Sequence, residues 1–166
     1  MLNVFGVCPA ADFDLLRKEA ALVKTLDSRP VLITDSGELS FWTAAANAGD
    51  LFGTTLYRVT YNRWFGYFFY HLPPAFYRIK AWLVGLSPDN VYVSELQAEP
   101  LSTGVLLNMP LNEQKISMDA ERLVNHVNFA RQTGFSGAYL WGAEWWLWLK
   151  EQGDDSVWQT AKALFK

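Results

Sequence analysis

The sequence predicts an α/β fold built on a parallel sheet, and three observations point there. Short apolar, β-branched runs alternate with segments of helical period, the pattern of successive strand–helix units. Each run closes on polar or aromatic side chains. PVLITDSGE ends in Asp35 and Glu38, GTTLYR in Tyr57 and Arg58, VYVSELQAEP in Glu95, and GAYLWGAEWW in Trp141 and Glu144. Functional groups of parallel α/β folds gather outside the carboxyl ends of the strands, so these residues are candidates for one shared rim. Val91, Val93 and Glu95 have the same parity, so simple alternation predicts the carboxylate on the face of the two valines.

The elements follow in order. Asp12 is a suitable N-cap for a first helix, in which Leu16, Ala20 and Val23 are spaced to form one buried face. Ser28-Arg29-Pro30 ends it, and VLIT is the first strand. Ser40 is expected to cap a second helix, FWTAAANA, that stops at Gly49. GTTLYRVT is read as the second strand, followed by a long aromatic loop containing the 64–70 run and reaching Pro73-Pro74. That proline pair starts a third helix, with Phe76, Ile79 and Leu83 on its inner face. After the VYVSE strand comes an irregular stretch from Leu96 to Glu113. Ser117 is the expected cap of a fourth helix facing inward through Leu123, Val127 and Ala130 and ending at Gly134. GAYLW is the last strand, and a final helix runs from Ser156 to Phe165. No linker or low-complexity tract divides the chain, so 1–166 is read as a single domain.

Composition narrows the class. A chain of 166 residues with 51% hydrophobic content can bury a real core. A formal charge of −3 with no basic stripe argues against nucleic acid as a partner. The single cysteine, Cys8, excludes an internal disulfide framework and fits a reducing compartment. No signal sequence is evident, so the expected location is cytoplasmic. The apolar stretch around the aromatic run WFGYFFY is interrupted by Arg63, His71, Pro73-Pro74, Arg78 and Lys80 and is too short to span a bilayer, so no membrane partner is expected. No metal or other cofactor is expected: His126 has no second ligand one helical turn away, and Cys8 has no neighbouring histidine to activate it.

Four parallel strands leave two open edges and one uncovered face. A closed barrel of this type takes eight strands and about 250 residues. The expected architecture is therefore a (βα)4 half-barrel, and two copies meeting as a homodimer would close a ring of eight strands with twofold symmetry.

PVLITDSGELSFW, GTTLYR, VYVSELQAEP and GAYLWGAEWWLWL together resemble the carboxyl-terminal half of a (β/α)8 glycoside hydrolase of the large retaining clan that includes β-glucosidases, cellulases and β-galactosidases. The resemblance covers almost the whole chain, as strands five to eight. It implies a carbohydrate ligand and puts Glu95 at the nucleophile position, Tyr57 near the end of strand six and Trp141 at the end of strand eight. It also implies that the acid/base glutamate, which ends strand four, has no counterpart; Asn112-Glu113 is not in a matching context.

Each candidate carries a competing, purely structural reading. Glu95 suits nucleophilic attack at an anomeric carbon, or it is a rim carboxylate paired with Arg58. Tyr57 either holds that carboxylate or is a half-buried aromatic with a satisfied hydroxyl. Trp141, with Trp145 beside it, either stacks on a sugar or fills the core. Asp35 and Glu38 either bind sugar hydroxyls or, for Glu38, sit favourably at a helix N-terminus. Glu144 of a mate would lie near the missing acid/base in a closed dimer, or it points away and pairs with a lysine. The functional expectation is a carbohydrate-active half-barrel. The alternatives are a non-catalytic assembly module and one half of a split glycosidase.

Overall fold

In the computed structural model, residues 12–62, 64–101 and 104–165 are described; Cys8 and Arg63 lie outside them. The order is α1 (Phe13–Leu26), β1 (Leu32–Asp35), β2 (Leu51–Leu56), β3 (Val59–Asn62), β4 (Gly66–Phe69), α2 (Pro74–Leu83), β5 (Val91–Gln97), α3 (Leu111–Ser117), α4 (Ala120–Thr133), β6 (Gly137–Trp141), α5 (Ala143–Glu151) and α6 (Ser156–Leu164). Four strands form one sheet in the order β1-β2-β5-β6, and all three pairings are parallel. This is the α/β architecture expected, an open parallel sheet consistent with half of a barrel. Among the described residues, no helix is long and apolar enough to cross a membrane.

Local chemistry explains the helix ends. Asp12 caps α1, its Oδ1 accepting the amides of Asp14 and Leu15 at 3.0 Å each. The cap of α4 is Asp119, which accepts the amide of Arg122 at 2.8 Å. Ser117, the expected cap, instead ends the preceding short helix α3 and is buried. Pro74 opens α2 where its missing N–H costs nothing.

Three elements differ from expectation. The predicted helix FWTAAANA reduces to one 3-10 turn, Ala45–Asn47. Trp42 breaks it by adopting a positive φ of 66°. Its ring enters the core, and its indole N–H donates to the Ser36 carbonyl at 2.8 Å.

The aromatic loop is largely an antiparallel hairpin, β3 with β4. It leaves β2 after Leu56 because buried Gln97 holds the turn. The Gln97 Oε1 accepts the amides of Arg58 and Val59 at 3.0 and 2.9 Å, and its Nε2 donates to the Val59 carbonyl at 2.9 Å. Helix α2 buries Tyr77 and Ala81, whereas Ile79 and Leu83 are exposed. Phe76 packs only against the edge of the core.

Among the described residues, two apolar clusters make the core. One joins Phe52 and Leu56 of β2 with Val91, Val93 and Leu96 of β5, beneath Tyr77 of α2 and Ala130 of α4. The other joins Ala98, Met118 and Leu123 with Trp145, Trp146 and Leu149 of α5 and Val157 of α6. The sheet face opposite α2 and α4 is much less covered: Tyr139 is 62% exposed and Trp141 50%.

Candidate functional site

The site is built around an irregularity in β5. Thr54 of β2 pairs with Val93 and Thr55 with Glu95, while on the other side Val93 pairs with Ala138 and Leu96 with Leu140. One extra residue therefore sits in β5 at Ser94–Glu95, a bulge that shifts the alternation of side chains. Val91, Val93 and Leu96 consequently all face the helices. Plain alternation predicts Glu95 on the face of the valines; the bulge places it instead on the opposite face of the sheet. Gly53 makes room for this, since a Cβ there would lie 2.7–2.8 Å from Leu32, Thr34 and Ser94 atoms. Across the gap, the Thr34 hydroxyl donates to Ser94 Oγ at 3.1 Å.

Tyr57, just beyond the end of β2, donates its hydroxyl to Glu95 Oε2 at 3.2 Å. Burial pushes the Tyr57 hydroxyl well above its ordinary pKa, and the Glu95, Glu99 and Glu38 charges add to that. The hydroxyl thus stays a proton-bearing donor. On its other side, the Tyr57 amide donates to Glu38 Oε1 at 3.3 Å, and Tyr77 donates to the same oxygen at 2.7 Å. Burial raises the Glu38 pKa against the lowering effect of those hydrogen bonds. Glu38 is thereby a brace between α2 and the end of β2.

Arg58 is turned away from Glu95. Its guanidinium lies 3.9 Å over the Phe129 ring and donates to the Leu72 carbonyl at 3.1 Å, so it does not pair with the carboxylate. Asp35 accepts the neighbouring Ser36 amide at 2.7 Å. Trp145 is buried in the second cluster, its indole N–H donating to Gln114 Oε1 at 2.7 Å, and it does not offer its ring to the rim.

At the end of β6, half-exposed Trp141 donates to Glu99 Oε1 at 3.1 Å. Glu99 was not singled out from sequence, although it stands four residues after Glu95 in VSELQAEP. Burial raises its pKa, the Trp141 hydrogen bond opposes this, and the nearby charge of Glu144 adds to the rise. Glu144 itself is exposed in the first turn of α5 and makes no ion pair with a lysine among the described residues. Glu38, Glu95 and Glu99 are thus arrayed around Tyr57, with Trp141 beside Glu99. Among the described residues no group of three His, Cys, Asp or Glu converges as metal ligands would.

Behind the rim, Gln97 and His126 fix β5. His126, on α4, is buried, and its Nδ1–H donates to the Gln97 carbonyl at 2.9 Å. Burial lowers the His126 pKa to about 4, and the Arg58 and Arg122 charges act in the same direction. A neutral imidazole therefore ties α4 to the strand that carries Glu95.

No protein-family model matches the chain, and no curated protein matches it. Among solved structures it is similar to the FMN-binding β-glucuronidase from Facaelibacterium prausnitzii L2-6, at 13% identity and a TM-score of 0.50, over 84% of this chain and 21% of that one. It is also similar to the GH2 β-galacturonidase from Eisenbergiella tayi bound to galacturonate, at 16% identity and a TM-score of 0.46, over 78% of this chain and 22% of that one. The chain spans about a fifth of the length of each. At such identity the similarity is a likeness of fold alone.

Proposed function

We propose that this chain is a carbohydrate-active half-barrel of retaining-glycosidase type, in which Glu95 is the nucleophile and a second copy closes the barrel. The observation that carries the reading is the Tyr57 hydroxyl donating to Glu95 at the carboxyl end of β5. A carboxylate held by a proton-bearing tyrosine, on the inner face of a parallel sheet, is suited to attack an anomeric carbon from a fixed direction. The bond from the anomeric carbon to the leaving oxygen breaks as that oxygen takes a proton from a carboxylic acid and the glycosyl–Glu95 bond forms. Water, giving a proton to that acid's carboxylate, then attacks the same carbon, which releases the sugar and frees the Glu95 carboxylate.

Burial favours retention of a proton on Glu99 at the rim, as it does on the bracing Glu38, and Glu144 of a mate is the other candidate donor. Trp141 offers a half-exposed ring for the apolar face of a sugar, while Asp35 stands at the same rim. With no counterpart of a strand-four glutamate, protonation is the weak step; general acid catalysis contributes about 10²–10⁴-fold. Aryl glycosides with good leaving groups, which need little protonation, are the substrates to use.

The test is turnover of such a glycoside by the full chain and by Glu95→Gln. Slow hydrolysis that disappears in the variant supports the reading. If no glycoside is cleaved and Glu95→Gln leaves saccharide binding unchanged, the reading fails.

A further inference from the structure

Helix α1 has two faces. One rests on its own chain: Ala20 is buried, and Lys24 pairs with Asp50 at 3.0 Å. The other carries Leu15, Leu22 and Leu26, at i, i+7 and i+11, which is a single stripe on a helix. These leucines are 51%, 61% and 83% exposed, with Glu19 inside the stripe. An apolar stripe turned away from its own core implies a cover.

A matching recess lies at the far edge of the sheet. Outside β6, a groove of about 290 Å³ runs between α4 and the carboxyl end of α6, lined by Leu96, Val127, Ala130, Leu140 and Leu164, with Arg131 in its wall. Among the described residues β1 and β6 each pair with one strand only, so the stripe and the groove belong to the two edges of this sheet.

We propose that α1 of each copy seats its leucine stripe in the β6 groove of a second copy, with Glu19 beside the mate's Arg131. The occupant is a second copy because this chain carries both complementary parts, at opposite edges and with opposite charges. One twofold operation therefore fills both grooves and covers both stripes. The inference rests on the paired-half reading above and adds an outer-layer contact to it.

Sedimentation equilibrium of the full chain tests it, with Leu22→Glu, Glu19→Arg, Arg131→Glu and the charge-swapped double variant. Leu22 is exposed, so Leu22→Glu should leave the circular dichroism unchanged while weakening self-association by about tenfold or more. Each charge reversal should weaken it too, and the double variant should recover. A wild-type chain that stays monomeric at micromolar concentration overturns both this contact and barrel closure. A dimer unmoved by Leu22→Glu overturns the contact alone and leaves closure by the strand edges standing. Failure of the double variant to recover overturns the seating of Glu19 against Arg131.

Discussion

The indole N–H of Trp141 donates to Oε1 of Glu99 at 3.1 Å, and the stem of that glutamate lies against the bare backbone of Gly142. Gly142 has φ of 111°, and a Cβ there would lie 2.3 Å from Glu99 Cβ. The contact between the end of β6 and the segment following β5 thus depends on the absence of a side chain.

Gly142→Ala is expected to lower stability by about 2 kcal/mol or more, from backbone strain and overlap together. Urea unfolding measures it. Adding Glu99→Gly should recover the overlap part and leave the strain. An unchanged midpoint in Gly142→Ala would contradict this account.

His126 sets a pH dependence. Its folded pKa is lowered to about 4, below the unfolded value of about 6.5. Between these values the unfolded chain binds the proton and the folded chain does not. Stability therefore falls as pH drops from about 6.5 toward 4, by about 3 kcal/mol in all. Chemical denaturation at stepped pH should show this slope, and His126→Gln should remove it. A slope that persists in the variant would assign it to other groups.

Gln97→Ala should be among the most damaging substitutions behind the rim. It leaves the amides of Arg58 and Val59 and the Val59 carbonyl without their partner, at about 1–3 kcal/mol for each buried unsatisfied group. Thermal unfolding will record the loss. Hydrogen exchange at Val59 should rise more than exchange in α6. An equal rise in both would mean that Gln97 supports the fold at large rather than this turn.

The order of elements was legible because strands ending in polar groups alternate with helical periods, and the caps at Asp12 and Gly134 are local chemistry. What escaped was decided by distant partners. Trp42 abandons a helix because its ring is drawn into the core, and the turn after Leu56 is held by Gln97, thirty-eight residues from Val59. Tyr57 meeting Glu95 was legible as a meeting of strand ends, as was Trp141 at the same rim. Arg58 and Trp145 turned inward for reasons no spacing reveals, a ring beneath one and Gln114 beside the other. Glu99 was missed because its neighbour Trp141 is forty-two residues away, although its place beyond Glu95 in the same loop was a usable signal.

The bulge at Ser94 has a further meaning for how such a strand can change. One inserted residue acts as a parity switch: upstream of it the odd positions fill the core, and downstream the even position Leu96 does. Were the same letters of VYVSELQAEP paired without the bulge, plain alternation would turn Glu95 toward the helices, where Leu96 now sits. Display of Glu95 thus depends on the bulge as much as on the glutamate.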